Sequence, residues 1–159
     1  MNDGLQDAPA HMTWELLTTD GTVLLSAQKD VLLPANASIQ LAEADLSGVA
    51  FDPVQTVMRV RLFQDGRIVN ECRYFFAPFA EMAAKDAHVD CHCRRTGEST
   101  FEVTLTADRF VWLLHLAEPD GVTCSANDFD LWPGEEKALI VTTDNAQYQP
   151  VLHWIGMED

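Results

Sequence analysis

Residues 127–143 read "NDFDLWPGEEKALIVTT", an acidic turn studded with aromatics that runs straight into an apolar strand. Three readings compete for it: a metal loop, an active-site corner, or the corner of a β-sandwich. The spacing argues against the first. Calcium loops need several oxygen ligands in an Asp-x-Asp-x-Asp-Gly order, and Leu131 and Trp132 interrupt any such series here. The second needs two carboxylates across a sugar cleft, which a tight turn between core strands does not supply. The structural reading meets no such obstacle. Asn127 and Asp128 are turn formers expected to bond nearby backbone N–H groups. Phe129 and Leu131 alternate inward. Pro133 and Gly134 suit the two central positions of a type II turn, where proline sets φ and glycine supplies a positive φ. In "KALIVTT", Ala138, Ile140 and Thr142 fall on one face, and Leu139 and Val141 fall on the other.

The rest of the chain repeats this kind of punctuation. "HMTWELL" (11–17) and "TVLLSA" (22–27) flank an Asp-Gly, and "TVMRVRLF" (56–63) and "RIVNECRYFF" (67–76) flank another, both hairpin signals. "KDVLLPANASIQLAEADL" (29–46) reads as two strands joined at Pro34-Ala35-Asn36. In residues 57–63 the clean apolar face is Met58, Val60 and Leu62, and it is predicted to point inward. "APFAEMAAKDA" (77–87) breaks the alternation and reads as a linker or short helical turn, with a domain boundary near 78–86. Strands resume in "HVDCHCR" (88–94), "STFEVTLTA" (99–107), "RFVWLLHLAE" (109–118) and "PVLHWIG" (150–156). "VWLLHL" is apolar at nearly every position, as a strand covered on both sides would be. Short strands at roughly 8–12-residue spacing mean a sandwich or barrel. The fold class expected is all-β, with two consecutive immunoglobulin-like β-sandwich domains over 1–80 and 81–159. Each is short of the about 100 residues usual for such a domain, so truncation of the first at its N-terminus is part of the expectation.

Composition narrows the function. The chain has 159 residues, is 47% hydrophobic and carries a net charge of −15. Residues 1–80 hold 10 acids and 5 bases, while 81–159 hold 15 acids and 5 bases. Such a surface repels phosphate backbones and anionic lipid, so neither nucleic acid nor membrane is an expected partner. No apolar run approaches the roughly 20 residues that span a bilayer. "MNDGLQDAPA" shows no basic and apolar leader, so no signal peptide is expected. The four cysteines, Cys72, Cys91, Cys93 and Cys124, are read as reduced thiols in a reducing compartment, the bacterial cytoplasm.

Other candidates for chemistry are thin. On a strand, Cys91 and Cys93 face one side and His92 the other, which is the wrong spacing for a zinc knuckle. His11, His88, His92, His115 and His153 stand singly, without a nucleophile at hand. No metal, cofactor or catalytic residue is therefore assigned. Of the tryptophans Trp14, Trp112, Trp132 and Trp154, Trp132 beside the Pro-Gly turn is the one predicted to reach solvent. It is the candidate for stacking on an oligosaccharide, with Trp14 as second choice.

With these residues in view, "RFVWLLHLAEPDGVTCSANDFDLWPGEEKALIVTT" resembles the last immunoglobulin-like domain of β-mannosidases in glycoside hydrolase family 2. That domain commonly carries a stretch of the form "DNyFDLlPGE". Asn127, Asp128, Phe129, Asp130, Leu131, Pro133, Gly134 and Glu135 match it, with "ANDFDL" in place of "DNYFDL". The first half is similar to the β-sandwich that follows the catalytic barrel in those enzymes. The resemblance implies a parent hydrolysing terminal β-mannosides by a retaining mechanism, with both catalytic carboxylates on a (β/α)₈ barrel. A barrel takes roughly 250 residues, so no catalytic residue transfers to this chain. What it implies here is an accessory scaffold whose partner is the barrel of the same polypeptide, with a homo-oligomer contact as a further role. A carbohydrate-binding module and a free-standing interaction domain are the alternatives.

Overall fold

The computed structural model describes residues 5–82 and 87–157, and they are all-β: eleven strands and two 3-10 turns, with no α-helix among them. The chain divides into two units. The first holds the residues up to Thr18 and Thr22–Pro78, and the second holds Thr19–Gly21 and the chain from Phe79 onward. Part of the linker expected over 77–87 lies outside the described residues, at 83–86; Phe79–Glu81 forms one 3-10 turn.

The first unit is a four-stranded antiparallel sheet, built from β1 (Ala8–Thr18), β2 (Val23–Leu33), β3 (Thr56–Gln64) and β4 (Arg67–Phe75) in the order β2-β1-β3-β4. The β3–β4 hairpin closes on Asp65-Gly66, both at positive φ (50° and 73°). A two-residue loop of that kind matches the right-handed twist of the strands it joins. Residues 38–46 do not form the strand expected of them. Their Ala-Glu-Ala-Asp content has little β propensity, and their apolar alternation changes parity between Leu41 and Ala42, so no one face holds a register. They run instead as an extended segment over one sheet face. There Ile39, Leu41, Ala42 and Ala44 border a groove of about 350 Å³ with Met12, Trp14, Met58 and Val60.

That face carries the predicted Met58, Val60 and Leu62, yet all three are only half-buried. The buried residues of β3 are Thr56, Val57 and Arg59. Arg59 is inside because Glu15 stands directly opposite it in register and takes both Nε (3.0 Å) and Nη2 (2.6 Å) on one carboxylate oxygen. Such a pair lets a guanidinium leave water, which an isolated charge could not do. Arg61 and Glu71 form a second pair across β3 and β4 on the same face.

The second unit is a sandwich. One sheet has the order β5-β6-β10-β8, with β5 Val89–Arg95, β6 Thr100–Ala107, β10 Lys137–Thr143 and β8 Val122–Cys124. The other has the order β11-β7-β9, with β11 Leu152–Ile155, β7 Val111–Leu116 and β9 Phe129–Leu131. Strict alternation on β6 sends Phe101, Val103, Leu105 and Ala107 inward. Leu139 and Val141 follow on β10, leaving Ile140 outside; the two faces are those the sequence alternation separates. These meet Val111, Leu114 and Leu116 of β7, Leu131 of β9 and Tyr148 in one closed apolar core.

Candidate functional site

The corner at 127–135 sits where β7 needs help. Val111 pairs with Leu131 and Leu114 pairs with Phe129, so β7 fits one residue more than β9 into the same length. This bulge holds Leu113 at φ 51°, an unusual conformation for a bulky side chain. It also turns the Leu113 N–H out of the ladder, where the Asp130 carboxylate accepts it at 3.3 Å.

Asn127 does more than form a turn. Its side-chain oxygen accepts the Leu116 N–H at 2.7 Å, and its Nδ2 donates to the Leu116 carbonyl at 2.8 Å. The amide thus mimics a strand residue and completes the β7 edge past the end of β9. The same oxygen accepts the Asp128 N–H at 3.3 Å, the local turn bond expected from the sequence, but the two shorter bonds go to a residue eleven positions away. Asp128, at φ 54°, reaches Nδ1 of His115 at 3.1 Å. Glu118 joins from the β7–β8 connection. It accepts the Cys124 N–H at 2.6 Å and, on its other oxygen, an Asn127 Nδ2 hydrogen at 3.4 Å. The Cys124 N–H, then Asn127, hold its carboxyl below the ordinary glutamate range.

The second half of the motif closes the corner. Phe129 packs on the core and carries Lys137 Nζ over its ring at 5.1 Å. Leu131 is in the core. Glu135 N–H donates to the Trp132 carbonyl at 3.1 Å, and Gly134 has φ 75°, the type II turn expected for Pro133-Gly134. Trp132 overturns its expectation. It is 4% exposed and packs on Phe110, with ring centroids 4.4 Å apart, so no open indole face remains for a sugar. A ring with that much apolar area gains more by packing than by standing in water. Trp14, the second choice, is half-buried on β1 and lines the groove of the first unit.

The thiols behave as small core groups. Cys91 and Cys93 pack against the second unit's core, and burial raises both above the ordinary thiol range. Burial, then the Glu118 charge, pushes Cys124 up to about 11, and burial pushes the Tyr148 phenol up to about 12. Among the described residues no cluster of three histidines, cysteines or carboxylates is placed to hold a metal. Sequence reasoning missed the bulge at Leu113 and the role of Glu118. The one signal for either was the density of side-chain oxygens in "NDFD", more than a turn requires.

Comparison with known proteins follows the same division. Residues 1–80 match the Mannosidase Ig/CBM-like domain, and residues 85–153 match an Ig-fold domain of the mannosidase type. No curated protein sequence matches the chain. The β-D-mannosidase of Dictyoglomus thermophilum is similar in fold over 97% of this chain, with TM-score 0.76 and 18% identity. The exo-chitosanase CsxA of Amycolatopsis orientalis is similar over 98%, with TM-score 0.55 and 15% identity. The chain spans 19% of the first enzyme and 24% of the second. By its match over residues 1–80, this chain belongs to the Mannosidase Ig/CBM-like domain family, and it continues into an Ig-fold domain.

Proposed function

We propose that this chain is the non-catalytic C-terminal accessory region of a β-mannosidase-like enzyme of glycoside hydrolase family 2. Its work is mechanical: two β-domains buttress the catalytic barrel of the same polypeptide, in the bacterial cytoplasm. One observation carries this reading. In the family-like motif, Asn127 and Asp130 direct their side chains at the backbone of β7, and Trp132 is buried. A corner that satisfies a strand in this way is a support. Retaining hydrolysis of terminal β-mannosides belongs, on this reading, to carboxylates of the parent that lie outside this sequence. The test is an assay of the purified chain with an aryl β-mannoside, alongside its circular dichroism. A folded β-sheet spectrum with no turnover is expected. Turnover by a homogeneous preparation overturns the reading.

A second reading rests on Trp14. Its ring and the aliphatic side chains of the groove around it offer an apolar surface that a neutral oligosaccharide could cover. Titration with manno-oligosaccharides should then change the tryptophan emission, and Trp14→Ala should abolish the change. An unaltered spectrum at millimolar sugar rejects the idea.

A further inference from the structure

Strand β4 closes one side of the first sheet, and its outer edge pairs with no strand among the described residues. Natural edges are usually blunted by brevity, proline or inward charge. Strand β4 is nine residues long and lacks proline; its half-buried charges, Glu71 (bonded to Arg61) and Arg73, lie on one face, while Ile68, Val69, Cys72 and Tyr74 are exposed, Tyr74 at 63%. An edge of this kind offers ladder groups and apolar side chains to another strand.

The order of charges says which strand. Register with β3 places Cys72 and Tyr74 on the Val60 and Met58 face, and Glu71 and Arg73 on the Arg61 and Arg59 face. We propose that a second copy of this chain pairs with it, β4 to β4, antiparallel about a two-fold axis through Cys72. The four-stranded sheet is then doubled across the contact. Side chains directly opposite in an antiparallel pair must share a face, so the axis has to pass through a residue. An axis through Glu71 sets two carboxylates against each other, and one through Arg73 sets two guanidiniums together. Only the axis through Cys72 places Glu71 opposite the partner's Arg73 and Arg73 opposite the partner's Glu71. The same register sets Tyr74 against the partner's Asn70 and the two Cys72 side chains face to face. Opposite charges in directly opposed positions stabilise a sheet pair, and like charges destabilise it. The bulge of β4 at Val69, between the Asn70–Leu62 and Ile68–Phe63 pairs, ends the regular stretch and limits the contact to a short one.

The experiment combines sedimentation of the full 159-residue chain, over a range of concentrations, with cross-linking by a short bis-maleimide. A concentration-dependent dimer is expected, with a covalent dimer that Cys72→Ser abolishes. Arg73→Glu and Glu71→Arg should each reduce cross-linked dimer about tenfold or more, because each sets like charges face to face across the contact. Glu71→Arg also opens the Arg61–Glu71 pair within the sheet, so Arg73→Glu alone decides the point where Glu71→Arg is unfolded. Mixing these two variants should restore it, since an all-acidic edge then meets an all-basic one. Circular dichroism of each variant confirms that it is folded. A monomer at every concentration, cross-linking that survives Cys72→Ser, or a mixture no better than its parts while both spectra remain native would overturn the proposal.

Discussion

The two units solve burial in different ways. The second closes one sheet over another, and Phe101, Val103, Leu105, Leu114, Leu116, Leu139 and Val141 meet in a single apolar core. The first has one regular sheet. It covers an apolar face with an irregular segment, leaves a groove beside Trp14, and sets ion pairs on the opposite face. A domain with two sheets can rely on area and packing density, which are non-directional. A domain with one sheet has fewer apolar layers, so particular pairs such as Glu15–Arg59 matter more to it.

Truncation experiments probe this contrast most strongly. Leu114→Ala, at a side chain with no solvent exposure, should cost about 3–5 kcal/mol and lower the Tm of the second unit by many degrees. Val60→Ala, on the half-buried groove wall of the first unit, should cost about 1 kcal/mol. Thermal melts followed by near-ultraviolet circular dichroism separate the two, and equal losses would erase the distinction. Glu15→Ala comes next. It leaves Arg59 inside without the carboxylate that faces it, and should cost about 3 kcal/mol in urea unfolding. Pairing Glu15→Leu with Arg59→Met should recover most of that, because a well-packed apolar pair can replace a buried ionic one. Failure of the double variant to recover would mean that Arg59 holds more than its salt bridge.

What could be read from the sequence follows the same line. Alternation was legible wherever one face is apolar and the other wet, as in β6 and β10. Turns were legible where glycine must supply a positive φ, at Gly66 and Gly134. Three features were hidden, each for a physical reason. The bulge at Leu113 leaves no mark in "VWLLHL", because a shift of parity among uniformly apolar residues changes nothing in the pattern. Arg59 looked exposed, because its burial depends on Glu15, forty-four positions earlier. Residues 38–46 looked like a strand by their bounds, yet nothing in their composition sets a register. At the candidate site the turn was legible, but the partners of Asn127 and Asp130 lie on another strand, and only the fold brings them together.

The Asn127 amide allows a sharper test of the support reading. Asn127→Ala removes both bonds to the Leu116 backbone and should cost about 2 kcal/mol. At neutral pH Asn127→Asp should be as damaging: a carboxylate can still accept the Leu116 N–H but cannot donate to the Leu116 carbonyl, and it meets Glu118. Protonation restores a donor, so the gap between Asn127→Asp and the parent chain should narrow below about pH 4. Urea midpoints at pH 7 and pH 3.5 measure it. A gap that widens in acid would show that the amide is not acting as a strand mimic.

The smallest effect concerns Tyr148, and it distinguishes the units by alkali. Its ring is in the second unit's core, and its hydroxyl is buried with no hydrogen-bond partner among the described residues. Burial holds the phenol at about 12 and the nearby Cys124 thiol at about 11. Both values lie above those of the unfolded chain. The stability from keeping these groups neutral is therefore complete below about pH 9, and it drains away as pH rises toward 12. The second unit should unfold in that window, with phenolate absorbance at 295 nm rising together with the loss of sheet signal. Tyr148→Phe removes an unsatisfied hydroxyl at constant shape. It should stabilise the second unit by up to about 1 kcal/mol at pH 7 and move its alkaline midpoint upward. An unchanged midpoint would locate the alkaline weakness in the thiols alone, and a loss of stability at pH 7 would mean that the hydroxyl is bonded after all.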